Sequence, residues 1–503
     1  MDIATNLFLG FATAIEPHNL LYCFVGVLLG TLVGVLPGIG PMGAMSLLLP
    51  VTFGLSPVTG VIMLSGIYYG AMYGGSITSI LVNVPGEAAS VVTCIDGYQM
   101  ARKGRAGPAL GMSALSSFIG GTVGIVLLMG LVNPLAKIAL MFAPPEYFAL
   151  MVFGMVIVVY LGRGPLLKGL VMVLVGLIFG CVGTDITGHN RFDFGSLNLY
   201  EGISLIALVM GLFGMGEVLI NTDEKLEMRS VVSTKILDLL PTRDDWKRSF
   251  APIVRGTFIG FLLGMLPGGG AIVSSFASYT IEKKLSKTPE AFGQGAIEGV
   301  AGPETANNAA TAGCFVPLLA LGIPSNVIMA VLLGALLMHG VTPGPLLATE
   351  HPEIFWGTIA SMYVGNAMLL VLNLPMVGLW VRLLRVPYAL LSSLILLFTI
   401  IGAFSEDNSI FNVYVLIAFG VFGYLLRKFE YDVAPLVLAY ILGPLLENAF
   451  RQSLMMSSGG FSIFVTRPIS GTTLLLCVLL LASATIGIFK KRRARLALAL
   501  AED

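Results

Sequence analysis

The chain has 503 residues, 56% of them hydrophobic and 11% charged, with a mean hydropathy of +0.91 and a formal net charge of zero. A soluble protein carries about 25% charged residues, so the deficit excludes a soluble fold, and the balanced charge argues against nucleic acid as a partner. The expectation is an all-α polytopic membrane protein. Cys23, Cys94, Cys181, Cys314 and Cys477 lie singly in apolar surroundings. Neither they nor the four histidines show a metal spacing or a disulfide framework, so neither a transition metal nor an organic cofactor is expected.

In chain order, residues 1–17 read as a short interfacial helix without the basic region of a signal peptide. Residues 19–36 and 42–59 are apolar arms flanking Gly34-Val35-Leu36-Pro37-Gly38-Ile39-Gly40-Pro41, where proline and glycine interrupt a helix that would otherwise run on. The arms form either two thin spans or one re-entrant hairpin with the breaker at its tip. Residues 61–101 cross once, are interrupted at Asn83-Val84-Pro85-Gly86-Glu87, and emerge at Arg102, Lys103 and Arg105, the first cations of the chain. Spans follow at 108–132, 146–161, 166–182 and 202–220. Residues 221–250 form a basic cytoplasmic connecting loop, so 1–220 is a first membrane half with a repeat core at 19–105.

Residues 251–503 form the second half, with its core at 251–340. Gly264-Met265-Leu266-Pro267-Gly268-Gly269-Gly270-Ala271 repeats the breaker 230 positions on, between arms at 251–266 and 271–281. A crossing over 296–339 is interrupted at Gly322-Ile323-Pro324-Ser325-Asn326. Five spans follow at 354–380, 385–403, 410–426, 432–449 and 471–489. The total is about 11 full spans plus two hairpins.

With a periplasmic N-terminus and a cytoplasmic C-terminus, all of the 28 Lys and Arg except Lys137, Arg191, Arg451 and Arg467 fall inside, as the positive-inside rule asks. Basic loops flank the second breaker's arms and none flank the first. The halves are therefore expected to be inverted repeats, each with a broken crossing, as in alternating-access transporters.

Broken helices present unpaired N–H groups on one side of the break and carbonyls on the other. The former suit a carboxylate; the latter, with Asn and Ser oxygens, suit a hard cation. Glu87 and Glu304 are the intramembrane carboxylates, fit either to hold a coupling cation or proton or to neutralise a helix N-terminus. The cluster Glu304-Thr305-Ala306-Asn307-Asn308 is the densest polar group in an apolar stretch. Isolated glycines read as close packing. Asp96 reads as an interfacial group, and Asp185, His189, Arg191 and Asp193 as a solvated external loop.

The segments GVLPGIGP, YGGSITSILVNVPGEAASVVTCIDGYQMARKGRAGPAL, GPETANNAATAG and FVPLLALGIPSNVIMAVLLGALLMHGVTPGPLL resemble the large membrane subunit of the tripartite tricarboxylate transporters, TctA, and the likeness runs over essentially the whole chain. It implies secondary active uptake of a small anionic carboxylate across a bacterial inner membrane, coupled to Na⁺ or H⁺. It also implies two partners, a small membrane subunit and a periplasmic solute-binding protein that delivers the ligand. Carried over by motif, the substrate-binding positions are Gly38, Gly40, Asn83, Pro85, Gly86, Gly268, Gly269, Gly270, Asn307, Asn308, Pro324 and Ser325. Glu87, Glu304, Thr305 and Asn308 are the coupling-ion positions. The chain departs from the family pattern at Ser325-Asn326, which is expected to tune the substrate.

Two other classes compete. A channel would want a continuous polar pore, whereas these breaks are local. An intramembrane enzyme would need a nucleophile with a His or Lys partner, or a metal cluster, and no acid pair here has catalytic spacing.

Overall fold

The computed structural model describes residues 3–36, 40–83, 85–139, 141–161, 165–185, 188–223, 239–266, 270–383, 388–405 and 408–483. Pro37, Gly38, Pro267, Gly268 and Gly269, most of the connecting loop and the basic tail lie outside them. The first stretch of chain forms α1 (Ile3–Ala14), α2 (Pro17–Val35), α3 (Gly40–Leu48), α4 (Pro57–Val82), α5 (Val91–Arg102) and α6 (Ala106–Ala139). Next come α7 (Pro144–Leu161), α8 (Leu166–Gly180), α9 (Leu205–Val209), a π-helical turn (Met210–Met215) and α10 (Gly216–Asp223). Then follow α11 (Arg243–Gly264), α12 (Gly270–Leu285), α13 (Glu298–Leu321), α14 (Val327–Met338), α15 (Leu347–Glu350), α16 (Pro352–Asn373), α17 (Val377–Leu383), α18 (Tyr388–Ser405), α19 (Ile410–Lys428), α20 (Ala434–Met456) and α21 (Ile463–Thr466). Four helices are long and apolar enough to cross a bilayer: α2, Ala106–Ile138, α16 and α19. Seven shorter apolar helices accompany them among the described residues.

Residues 1–139 and 204–428 make one compact unit, and 140–203 with 429–503 make another. In the second unit, Glu146 pairs with Arg467 at 2.6 Å, and Arg191 grips Glu447 through two hydrogen bonds of 3.1 and 2.9 Å. Arg451 joins Glu447 and reaches Asp185 at 3.0 Å. Two of the loop residues expected to be solvated are thus tied to α20. A two-stranded ribbon, β1 (Gly183–Thr184) and β2 (Asn190–Arg191), supports them in antiparallel register, Gly183 opposite Arg191.

The first unit is organised around two buried helices. Every residue from Thr59 to Leu81 on α4, and from Gly299 to Ala320 on α13, is buried. Their polar residues thereby avoid lipid, where an unmatched polar group costs several kcal/mol. α4 begins where Ser56 caps it, its Oγ accepting from the Thr59 amide, with Pro57 at the first turn. It ends at Asn83 in the left-handed conformation, φ 60°. α13 ends the same way at Gly322, φ 71°. Tyr68 packs on Phe315 while Ser76 bonds Glu304, so α4 and α13 pass each other in opposite directions.

Each buried helix takes a glycine-striped neighbour. A Cβ on Gly26, Gly30 or Gly34 of α2 would overlap the carbonyl oxygens of Met63, Ile67 and Ala71 on α4. On α11, Gly256, Gly260 and Gly264 lie against the carbonyls of Gly302, Ala306 and Ala310 on α13. The glycines of the two stripes stand 230 positions apart and their partners 239. Gly74 on Thr31 and Gly313 on Phe261 keep the same two offsets. Without side chains in the way the backbones approach closely.

Two expectations change. α1, expected as an interfacial helix, packs on α16, where Gly10 abuts the Trp356 carbonyl. Asp96 is fully buried, one oxygen accepting from the amides of Gly293, Gly295 and Ala296 at 2.7–2.8 Å and the other from the Tyr279 hydroxyl at 2.9 Å. It fastens α5 to the turn before α13. Nearby, Arg105 bonds Asp245 at 2.6 Å, joining the basic loop after α5 to the start of α11. Burial works against the Asp245 carboxylate, but the Arg105 contact and the Thr242 capping bonds outweigh it and hold the carboxyl below its ordinary value.

Candidate functional site

The two interruptions supply the caps of the helices that follow them. After α4 stops at Asn83, the chain turns through Pro85 and Gly86. There the Gly86 amide donates to the Gly75 carbonyl at 3.4 Å. A Cβ on Gly86 would collide with the Gly34 oxygen at the end of α2 and stand 2.6 Å from the Gly75 Cα, so only glycine fits. Glu87 then caps the short helix over 88–90: its Oε2 accepts from the Ala89 amide, and its own amide donates to Ser90. After α13 stops at Gly322, Ser325 donates to the Cys314 carbonyl at 3.3 Å. Asn326 caps α14 by accepting from the Met329 amide at 2.9 Å.

Each cap also reaches the other buried helix. Asn307 of α13 donates to Glu87 Oε1 at 3.1 Å, and Asn326 donates to the Tyr68 hydroxyl of α4 at 3.2 Å. Glu87 and Asn326 stand 239 positions apart, as do Tyr68 and Asn307. The first interruption therefore bonds α13 at the position equivalent to the one where the second bonds α4. Gly75 and Cys314, which receive the Gly86 amide and the Ser325 hydroxyl, keep the same offset. The helices after the breakers cross over too: α3 packs on α14, and α12 on residues 88–90. Gly40 and Gly270 open those helices with φ 65° and 46°, and the Cβ position of Gly270 lies 3.8 Å from Asn326 Nδ2.

A second carboxylate sits deeper. Glu304, 1% exposed, accepts from Ser76 of α4 at 2.6 Å, from Thr93 of α5, and from Ser117 of α6 at 3.4 Å. Among the described residues no cation pairs with Glu304 or Glu87. Asn307 Oδ1 is buried with no partner, an opening for a ligand beside the Glu87 carboxylate.

The chain matches the family model described as "Tripartite tricarboxylate transporter TctA family" over residues 20–438. The chain belongs to the TctA family. It is 52% identical over 484 residues to an "uncharacterized 52.8 kDa protein in TAR-I ttuC′ 3′region" of Agrobacterium vitis, covering 95% of this chain and 96% of that protein. A second protein of the same organism, "uncharacterized protein in TAR-II ttuC′ 3′region", is 51% identical over 224 residues, 44% of this chain and 93% of its own. No solved structure matches. TctA proteins are subunits of a tripartite transporter, and with its apolar helices this chain is a multi-pass membrane protein of that class.

Of the residues expected to form the TctA site, Gly38, Gly268 and Gly269 lie outside the described residues. Gly86, Glu87 and Asn307 come together, and Pro324 and Ser325 are buried beside Cys314. Asn83 is exposed at its left-handed cap and Pro85 half-buried. Asn308 donates back to the Glu304 carbonyl at 3.1 Å, and Thr305 to the Ala301 carbonyl at 2.7 Å, with its methyl beneath Gly120 of α6. These two side chains serve their own helix. Sequence reasoning missed Tyr68, Ser76, Thr93 and Ser117 as contributors, and singled out Asn326 only as a departure from the family pattern. The available signal was small hydroxyls scattered along three helices, weak because α4 and α6 carry several each and Ser and Thr also bond their own helix.

Proposed function

We propose that this chain is the large membrane subunit of a secondary active transporter that imports small, tricarboxylate-like anions across the bacterial inner membrane. It works with a small membrane subunit, a periplasmic binding protein that delivers the ligand, and Na⁺ or H⁺ as coupling ion. Inverted repeats, each with a re-entrant hairpin and a broken crossing, supply the two faces of one midplane site. The observation that carries this reading is the exchange of caps: Glu87 on Asn307, and Asn326 on Tyr68, between antiparallel helices at matching positions. Two broken helices related in this way are the plan of an alternating-access site.

The amide-rich starts of α14 and of the segment after Glu87 suit the substrate carboxylates, since helix N-termini favour anions. Asn307, which donates to Glu87 and has a buried unpartnered side-chain oxygen, offers that acceptor to the coupling cation rather than to the anion. A bound cation offsets the charge of substrate plus Glu87 in the low-dielectric interior. Movement of the breaker-bearing helices against the rest opens the site alternately to either side. The test is uptake of radiolabelled carboxylate into liposomes holding the reconstituted complex. Accumulation that requires a cation gradient and the binding protein supports the reading. Uptake that persists when every cation gradient is collapsed overturns it.

A further inference from the structure

We propose that Glu304 is a proton carrier of the transport cycle, its carboxyl gaining and losing H⁺ inside a shell of hydroxyl groups from three other helices. The proposal rests on the transport reading above and narrows its coupling ion at this position to H⁺. Among the described residues, five acids lie buried in the first unit: Asp245 and Glu282 are paired with Arg105 and Arg255, and the other three differ in what touches their oxygens. Asp96 meets three backbone amides and a tyrosine hydroxyl. Glu87 meets the Ala89 amide and the Asn307 side-chain amide. Amide N–H groups can only donate, so they serve both oxygens of a carboxylate but offer the O–H of a carboxylic acid nothing to bond to.

Glu304 meets only hydroxyls: Ser76, Thr93 and Ser117, with Ser113 a further hydroxyl interaction. A hydroxyl donates to a carboxylate and accepts from a carboxylic acid with equal ease. When H⁺ binds an Oε of Glu304, that O–H donates to the Ser76 or Thr93 oxygen. The hydroxyl turns its own hydrogen to a carbonyl of its helix, as Thr305 and Thr311 do on α13. Only hydroxyl hydrogens turn, and the carboxyl keeps a hydrogen-bond partner in either state.

The same shell leaves no room for a metal cation. Around an octahedrally held ion of the size of Ca²⁺, oxygens stand at about 2.3–2.6 Å, which keeps adjacent ligands about 3.4 Å apart. Here Ser76 and Glu304 oxygens are 2.6 Å apart in a direct hydrogen bond. The neighbours leave no compensating charge either. Glu87, Tyr73 of α4 and Cys94 of α5 interact electrostatically with Glu304, and all three are acids. α6 faces it with serines alone, and Arg255 of α11 is committed to Glu282 of α12 through two hydrogen bonds. A buried carboxylate without a cation costs several kcal/mol, and a proton removes that cost.

The placement gives the proton a task. Glu304 sits on α13, while Ser76, Thr93 and Ser117 sit on α4, α5 and α6. Any movement of α13 past those helices has to break this shell. A neutral carboxyl leaves it far more readily than an anion.

The test is infrared difference spectroscopy of the purified full-length chain in lipid, between acid and alkaline buffer. The expected result is a protonated-carboxyl carbonyl band that bleaches in alkali, is absent from Glu304→Gln, shifts in frequency in Ser117→Ala, and ignores replacement of Na⁺ by choline at fixed pH. The Ser117 variant on its own assigns the band if the Glu304 variant does not fold. The proposal is overturned if no band responds to either substitution, if the Glu304 band is unchanged across the whole pH range, or if Na⁺ at constant pH removes it. The readout needs no substrate, so it separates two failures. A titrating Glu304 in a complex that moves no carboxylate defeats the transport reading alone. Na⁺-driven uptake with a silent Glu304 defeats the proton assignment alone.

Discussion

Replacing Asn307 tests the heart of the site. Its amide donates at 3.1 Å to Glu87 Oε1, with the two residues 1% and 6% exposed. A buried hydrogen bond to a charged group contributes about 1.5–3 kcal/mol. At 1.4 kcal/mol per tenfold, Asn307→Ala is therefore expected to lower carboxylate uptake about 10- to 150-fold at equal surface expression. Asn307→Asp is expected to be worse near neutral pH. It sets a second carboxylate beside Glu87, and two like charges about 4 Å apart at an effective dielectric near 20 repel by about 4 kcal/mol. Protonating either acid removes the repulsion, so the Asp variant should recover as the pH falls while the Ala variant does not. The assay is initial-rate uptake in membranes energised by an ion gradient, run from neutral to mildly acid buffer. Wild-type rates in both variants, or an Asp variant that worsens as pH falls, would refute the reasoning.

Gly260→Ala places a Cβ 2.6 Å from the Ala306 Cα. Overpacking of this kind costs about 1–3 kcal/mol, so the variant should unfold at lower temperature in detergent. Gly130→Ala, on α6 with nothing within 4 Å of the added Cβ, should match the wild type. Asp245, held below the ordinary carboxyl range by Arg105 and Thr242, contributes stability that is full above the unfolded-state value and lost as pH falls through the lower folded value. In acid titrations followed by thermal unfolding, Asp245→Asn should be less stable than the wild type at neutral pH, and the gap should close in acid.

The membrane class was legible because so few charges in so many apolar residues admit no other solvent, and the family was legible because GVLPGIGP and PETANNAA are specific strings. The interruptions at Asn83 and Gly322 were legible as well, since Pro85 and Pro324 deny the helix its hydrogen bonds, and Asn83 and Gly322, two positions earlier, adopt left-handed caps. What the sequence hid was which polar groups meet. Glu87 and Asn307 lie 220 positions apart, and their contact depends on how two buried helices pass each other, which neither motif encodes. Asp96 looked interfacial because Arg102 follows so soon. Its burial comes from a turn at 293–296 that aims three amides at one oxygen. Thr305 and Asn308 were expected as coupling-ion positions because they match the family motif around Glu304. On a helix, neighbours in sequence point to different faces, and both turn back onto their own backbone.

A density map of the assembled transporter with a carboxylate bound tests the central claim most directly. The account expects the anion within hydrogen-bond reach of backbone amides at 86–89 and 325–327, between the ends of α4 and α13, with the coupling cation at the Asn307 side-chain oxygen. A ligand bound elsewhere, with Glu87 still closed on Asn307 and no anion at either interruption, would contradict it.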